Sequence, residues 1–178
     1  MLTGSFKGDA DADAKSNLLA EVCGGAALGY AARLIQPRAV VLHGKTAENG
    51  KSQILELARG LMPTSAICSV PAAKMGDERH VVGLIGKLLN ASDELSLEAI
   101  ASNTFKSVVT GDPIQGRDVY KSRVEFRSVA QNLFAANQLP SFKGGVDRGV
   151  HRRLLLTPFG RTIPLEERIE EIGKRIAS

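Results

Sequence analysis

The chain has 178 residues, 43% of them hydrophobic but only 4% aromatic, with no tryptophan. That fits one domain with an aliphatic core and a small helical appendage. No apolar run reaches the roughly 18 residues that span a bilayer, and the first residues lack the basic start and apolar stretch of a signal peptide. The net charge is a modest +4, and the two cysteines, Cys23 and Cys68, stand alone with no CxxC and no histidine at ligand spacing. They are expected to be reduced core thiols of a cytoplasmic protein.

In chain order, residues 8–13 are small and polar and lead into a helix over residues 14–34. Its apolar positions are Leu18, Leu19, Val22, Ala26, Ala27, Tyr30 and Leu34, its first turn is acidic, and Gly24-Gly25 marks a point for a kink. Gln36-Pro37-Arg38 breaks this pattern before a strand over residues 39–43. After an intervening loop, Ile54, Leu55, Ala58 and Leu61 set a helical period. A turn at Met62-Pro63-Thr64-Ser65 precedes a second strand at 66–70, a short helix around 78–85 and a third strand over 87–92 that ends in Asp93-Glu94. Ser96 is placed to cap a helix over 97–109, with Ile100, Phe105 and Val108 inward and Gly111-Asp112-Pro113 as its stop. Val119-Tyr120 and residues 124–126 flank a polar tip, 121–123, as a hairpin would. Residues 129–136 form another apolar strand, ending at Asn137. A basic, glycine-containing loop at 141–149 then leads to a last buried strand at 154–156, closed by Pro158. Leu165, Ile169, Ile172 and Ile176 finish the chain as an amphipathic helix. Strands alternating with helices predict a three-layer α/β fold around a central, mostly parallel sheet.

The loop between the first strand and its helix carries the chemistry. Gly44-Lys45-Thr46-Ala47-Glu48-Asn49-Gly50-Lys51-Ser52 lies between a buried strand and a helix N-terminus. In a phosphate-binding loop of this layout, backbone N–H groups and the helix N-terminus face the anion, the lysine reaches the terminal phosphates and the serine hydroxyl ligates Mg²⁺. Gly44, Asn49, Gly50, Lys51 and Ser52 are therefore the candidate nucleotide ligands. Five residues rather than four separate Gly44 from Gly50, so either the loop carries one extra residue or it begins at Lys45. Asn49 suits both cases, because asparagine tolerates positive φ.

Phosphoryl transfer to water also needs a metal site and an oriented water. Asp93 or Glu94, at the end of an apolar strand, can supply both, with Ser52 and Asp93 as metal ligands. Asn137, at the tip of another strand, can hydrogen-bond the γ-phosphate or the attacking water. The carboxyl edge of the sheet, where ligands of such folds sit, would collect all of them. Arg148, Arg152 and Arg153 are candidates for a guanidinium supplied to a neighbouring subunit's phosphates. His43, His80 and His151 stand at no spacing of a triad or metal site. Residues 104–161 hold ten basic and four acidic side chains, a concentration that points to a polyanion, either the nucleotide or nucleic acid.

Taken together, strand-GKS, a strand with paired acids, Val109-Thr110-Gly111-Asp112-Pro113-Ile114, Arg117-Asp118-Val119-Tyr120-Lys121, Phe126-Arg127, Leu133-Phe134-Ala135-Ala136-Asn137-Gln138-Leu139-Pro140 and Asp147-Arg148-Gly149-Val150-His151-Arg152-Arg153-Leu154-Leu155-Leu156-Thr157-Pro158-Phe159 resemble the superfamily 3 helicase domain of phage and plasmid primase-helicases. The resemblance runs from about residue 39 to 164. It implies an AAA+-like P-loop NTPase that uses ATP and Mg²⁺, forms a homohexameric ring and translocates on single-stranded DNA, with a primase part or other replication proteins as partners. Gly50, Lys51 and Ser52 match the Walker A residues, Asp93 and Glu94 the Walker B acids, Asn137 the polar sensor, and Arg153 or Arg152 the arginine that reaches the adjacent subunit. Residues 117–123 resemble the pore hairpin, with Arg117, Tyr120, Lys121 and Arg123 on DNA. The implied organisation is an N-terminal helical segment (1–38), the ATPase core (39–164) and a C-terminal helix (165–178). Relatives usually carry more chain on both sides. Two alternatives stand beside the motor: a remnant that binds nucleotide or DNA without turnover, and a P-loop ATPase acting on protein partners.

Overall fold

The computed structural model describes residues 2–93, 95, 98–118 and 122–178, and the side chains of all of these except residues 2 and 3. Its helices are α1 (Leu2–Ser5), α2 (Ala12–Ala27), α3 (Lys51–Gly60), α4 (Glu78–Val81), α5 (Ser102–Thr110), α6 (Arg148–Arg153) and α7 (Ile172–Ala177). Its strands are β1 (Ala39–His43), β2 (Ile67–Cys68), β3 (Leu89–Ser92), β4 (Ile114–Gly116), β5 (Val124–Phe126), β6 (Gln131–Ala136) and β7 (Leu154–Pro158). Five strands form one sheet in the order β2-β3-β6-β1-β7, each pair parallel, and β4 and β5 form a separate antiparallel hairpin.

The central strands β3, β6 and β1 are buried on both faces, which is why β1 and the second half of β6 read as continuous apolar runs. Alternation along β1 and β6 sends Val40, Leu42, Leu133 and Ala135 into one core with Ile54, Leu55 and Ala58 of α3 and Leu19, Cys23 and Ala26 of α2. Ala39, Val41, Phe134 and Ala136 enter the other, with Phe105, Val108 and Val109 of α5, Val150 of α6 and Val81 of α4. The result is the expected three layers. The N-terminal segment packs on the first core: the Phe6 and Phe159 rings meet at 4.7 Å between centroids. Beside them the buried Lys15 is held by Asp9 (2.7 Å) and Asp11 (2.9 Å), so two of the early acids neutralise a cation in that layer.

Several element boundaries differ from expectation, each for a local reason. The first long helix stops at Ala27, because Gly29 turns to φ 66° and a short 3₁₀ turn at Ala31–Arg33 follows, leaving Tyr30 and Leu34 exposed. The second strand is only Ile67–Cys68; beyond it the Asn90 carboxamide accepts from Val70 N (2.7 Å) and donates to Val70 O (3.0 Å), replacing a backbone ladder. The helix expected at 97–109 begins at Ser102, since Ile100 is extended and pairs with residues 141 and 143; Ser96 and Leu97 lie outside the described residues. Val124–Phe126 pairs with Ile114–Gly116; Val119 and Tyr120, expected as the first arm of the hairpin, lie outside the described residues. The loop expected over 141–149 ends early, since residues 148–153 form α6, capped by the Asp147 carboxylate on Val150 N (2.7 Å). The single C-terminal helix is instead a 3₁₀ turn at Leu165–Glu167, an extended Arg168 and α7, which starts after Glu171 at φ 49°. Leu165, Ile169 and Ile176 are left exposed. Among the described residues no helix is long and apolar enough to cross a membrane.

Candidate nucleotide site

The loop leaves β1 at the carboxyl edge, where Gly44 N donates to Ala136 O of β6 at 3.0 Å. Gly44 has no room for a side chain: a Cβ there would meet Asn49 Nδ2, the Phe159 carbonyl at 2.6 Å and Lys51 Nζ at 3.2 Å. Asn49 and Lys51 are both buried. The Lys51 ammonium donates to Gly44 O (3.0 Å), Asn49 Oδ1 (2.9 Å) and Thr46 O (3.3 Å), while Asn49 Nδ2 donates to Thr46 O (2.6 Å). Burial holds the Lys51 pKa below the usual lysine range.

The backbone absorbs the long loop at Glu48, φ 60°, and at Gly50, φ 92°, where α3 begins. The positive φ expected of Asn49 therefore belongs to its neighbour, and Asn49 serves as a side-chain bridge between Thr46 and Lys51. A segment from the far end of the chain braces this bend. Ile163 N donates to Glu48 O (2.9 Å), Thr162 Oγ1 lies 3.1 Å from Thr46 Oγ1, and the Arg168 guanidinium meets the Glu48 carboxylate with two bonds of 2.6 Å.

Ser52 occupies the second position of α3 and is exposed. Asp93 follows β3, half exposed, with its Oδ2 taking a 3.0 Å bond from Arg59 Nη2; the same nitrogen donates to Ala91 O at 3.1 Å, and Nη1 to Glu56 Oε1 at 2.7 Å. Glu94 lies outside the described residues. Asn137 is exposed, one residue beyond the Ala136 carbonyl that receives Gly44 N. With β3, β6 and β1 adjacent in the sheet, Lys51, Ser52, Asp93 and Asn137 follow or flank neighbouring strand ends on one edge.

The arginines are elsewhere. Leu154, which follows Arg153, pairs with Ala39, the first residue of β1. Arg152 and Arg153 thus sit at the amino edge, a strand length of roughly 16 Å from the loop, while Arg148 opens α6. Arg152 is exposed, while Arg153 Nη1 donates to Gly149 O (3.0 Å) and its buried Nε has no partner among the described residues. In the hairpin, Arg117 N donates to Glu78 O (2.9 Å) and Arg123 Nε to Glu78 Oε2 (3.1 Å), so α4 holds both sides of the tip. Tyr120 and Lys121 lie outside the described residues.

Glu48, Arg168 and Arg59 were not legible as site residues. Arg168 and Glu48 are 120 positions apart, and Arg59 and Asp93 are 34 apart; no local spacing announces either pair.

A family profile described as a family of unknown function, DUF5906, matches residues 42–153. No curated protein matches the sequence. Among solved structures, the A form apo structure of the NrS-1 C terminal region is similar at TM-score 0.69 and 17% identity, covering 99% of this chain and 40% of that one. A second apo structure of that region gives 0.66 and 18%, covering 99% and 41%. A JCV helicase bound to a thiazolopyridine acetamide compound gives 0.54 and 11%, covering 89% and 43%. The chain thus spans about two fifths of the length of these structures, and at such identities the likeness is one of fold.

Proposed function

The chain belongs to DUF5906, a family of unknown function, and on that footing we propose that it is the nucleotide-hydrolysing core of a helicase-type motor, binding ATP with Mg²⁺ and acting on single-stranded DNA as a ring of copies. The observation that carries this reading is Lys51. Its ammonium is buried in a glycine-bounded loop, at a helix N-terminus, on the carboxyl edge of a parallel sheet, where an anionic ligand is the natural counter-charge.

The donor set suits a nucleotide carrying its own metal. Among the described residues no three His, Cys, Asp or Glu side chains gather into a metal cage. Mg²⁺ needs none here, because it is commonly held by one or two protein ligands plus phosphates and water. In this reading Lys51 neutralises phosphate charge, the Ser52 hydroxyl and Asp93 hold the metal, Asp93 or Glu94 polarises water, and Asn137 hydrogen-bonds the γ-phosphate or that water. Arg152 and Arg153 lie too far from their own loop, so they serve a neighbouring copy. Arg117, Tyr120, Lys121 and Arg123 contact the strand, by charge and by base stacking.

The test is ATP hydrolysis with and without single-stranded DNA. Wild type is expected to hydrolyse faster with DNA and Lys51→Ala to lose both binding and turnover; hydrolysis indifferent to Lys51 would remove the basis of the reading. A second reading, a module that holds nucleotide without turnover, is favoured by one contact: Asp93 Oδ2 is taken by Arg59. ATP binding that needs Lys51 yet yields no phosphate release would select it.

A further inference from the structure

Resting on the nucleotide-site reading above, we propose that Glu48 and Arg168 form a latch that keeps the loop shut on its own lysine, and that nucleotide binding requires the latch to open. Three observations converge. The third acceptor of the Lys51 ammonium is a side chain, Asn49 Oδ1, and the Asn49 carboxamide lies over Gly44 in the middle of the loop. In a loop that holds phosphate, that space and that N–H bond belong to the anion. Glu48, the residue before this plug, stands at φ 60°, an uncommon conformation for a non-glycine residue that persists where its surroundings hold it. The hold comes from one segment, through two guanidinium–carboxylate bonds of 2.6 Å and the 2.9 Å bond from Ile163 N to Glu48 O. Arg168 is itself fixed from behind by Nε donating to Ile163 O at 2.8 Å, so the clasp and the segment move together.

The bidentate fork is the surface ion-pair geometry that carries measurable energy. A closed population lowers apparent affinity by the fraction of molecules that are open. The latch therefore makes a prediction opposite in sign to simple charge counting. Removing the Arg168 cation near a site for a polyanion should weaken ATP binding by Coulomb's law; if Arg168 shuts the loop, its removal strengthens binding.

Calorimetric titration of ATP·Mg²⁺ into wild type, Arg168→Ala, Arg168→Gln and Arg168→Ala/Lys51→Ala decides the matter, with hydrogen exchange across residues 160–168 as a second readout. Both single variants are expected to bind about three- to tenfold more tightly than wild type, and ATP to speed exchange at Ile163 in wild type. Affinity that needs Lys51 but is unchanged or weaker in both Arg168 variants overturns the latch and leaves the nucleotide site standing. Binding that survives loss of Lys51, or no binding in any variant, removes the site and the latch with it.

Discussion

Arg59 and Asp93 tie the end of α3 to the end of β3: the guanidinium gives one hydrogen bond to the Asp93 carboxylate at 3.0 Å and another to the Ala91 carbonyl at 3.1 Å. Arg59→Ala is expected to cost about 1 kcal/mol in urea unfolding, small because the carboxylate is half exposed and screened. Asp93→Asn, which keeps the size and a hydrogen-bond acceptor, should leave stability near wild type and lower ATP turnover by roughly 100-fold while nucleotide still binds. Loss of binding alongside turnover would make the residue's role structural.

Gly44→Ala tests the closeness of the loop. Its Cβ would press on Asn49 Nδ2 and on the Phe159 carbonyl at 2.6 Å, one of them backbone and unable to yield. A loss of about 1–3 kcal/mol is expected in thermal or urea unfolding, with nucleotide affinity falling too. An Ala variant as stable as wild type would mean that the loop sits more openly over Phe159.

Lys51 gives a pH signature. Burial depresses its folded-state pKa, so the unfolded chain binds the proton more tightly, and stability rises with pH from the depressed value up to the ordinary lysine value of 10.5. Lys51→Met lacks this term. The stability of wild type relative to Lys51→Met should therefore increase through that alkaline window, measured as the difference between two urea midpoints; a flat difference would contradict a desolvated ammonium.

Cys68 titrates the other way. Desolvation by burial pushes its thiol up to about 11, outweighing the Val70 N–H and the charge of Lys87. At pH 8 its alkylation should run roughly 100-fold slower than that of a free cysteine thiol, since only the thiolate reacts. The preference for the neutral thiol also costs stability as pH climbs from 9.0 to about 11. Rapid labelling of native protein at Cys68, followed by mass spectrometry, would show that the thiol is not desolvated.

Phe6→Ala measures how far the N-terminal segment belongs to the core. Phe6 and Phe159 are both essentially without solvent contact, and truncating the ring should cost about 3–5 kcal/mol. A change under 1 kcal/mol would mean that the segment contributes little to the cooperative unit.

Strand β1 and the second half of β6 were legible because both of their faces are covered, so Ala39–Leu42 and Leu133–Ala136 are apolar without alternation; β3 carries the buried polar side chains Asn90 and Ser92 between Leu89 and Ala91. The bend at Gly50-Lys51-Ser52 between strand and helix was legible because its glycine and the helix that follows are adjacent in the chain. Helix α6 was not: six residues with four polar ones and a single buried anchor, Val150, carry no amphipathic period. The C-terminal repeat of Leu165, Ile169, Ile172 and Ile176 was a true period with a false conclusion. Pairing of Arg168 with Glu48 and the positive φ of Glu171 break the helix that the period describes.

Chain order and chemical type were thus settled by short-range rules: burial pattern, glycine placement, and a cation next to a helix start. Which charged groups meet was decided only on folding. Glu48 with Arg168 and Arg59 with Asp93 each depend on where separate segments come to rest, and Coulomb attraction acts on distance in space, which a linear order of residues does not encode. The same limit applies to the positive φ of Glu48, a residue whose carbonyl and carboxylate are both bonded by a remote segment.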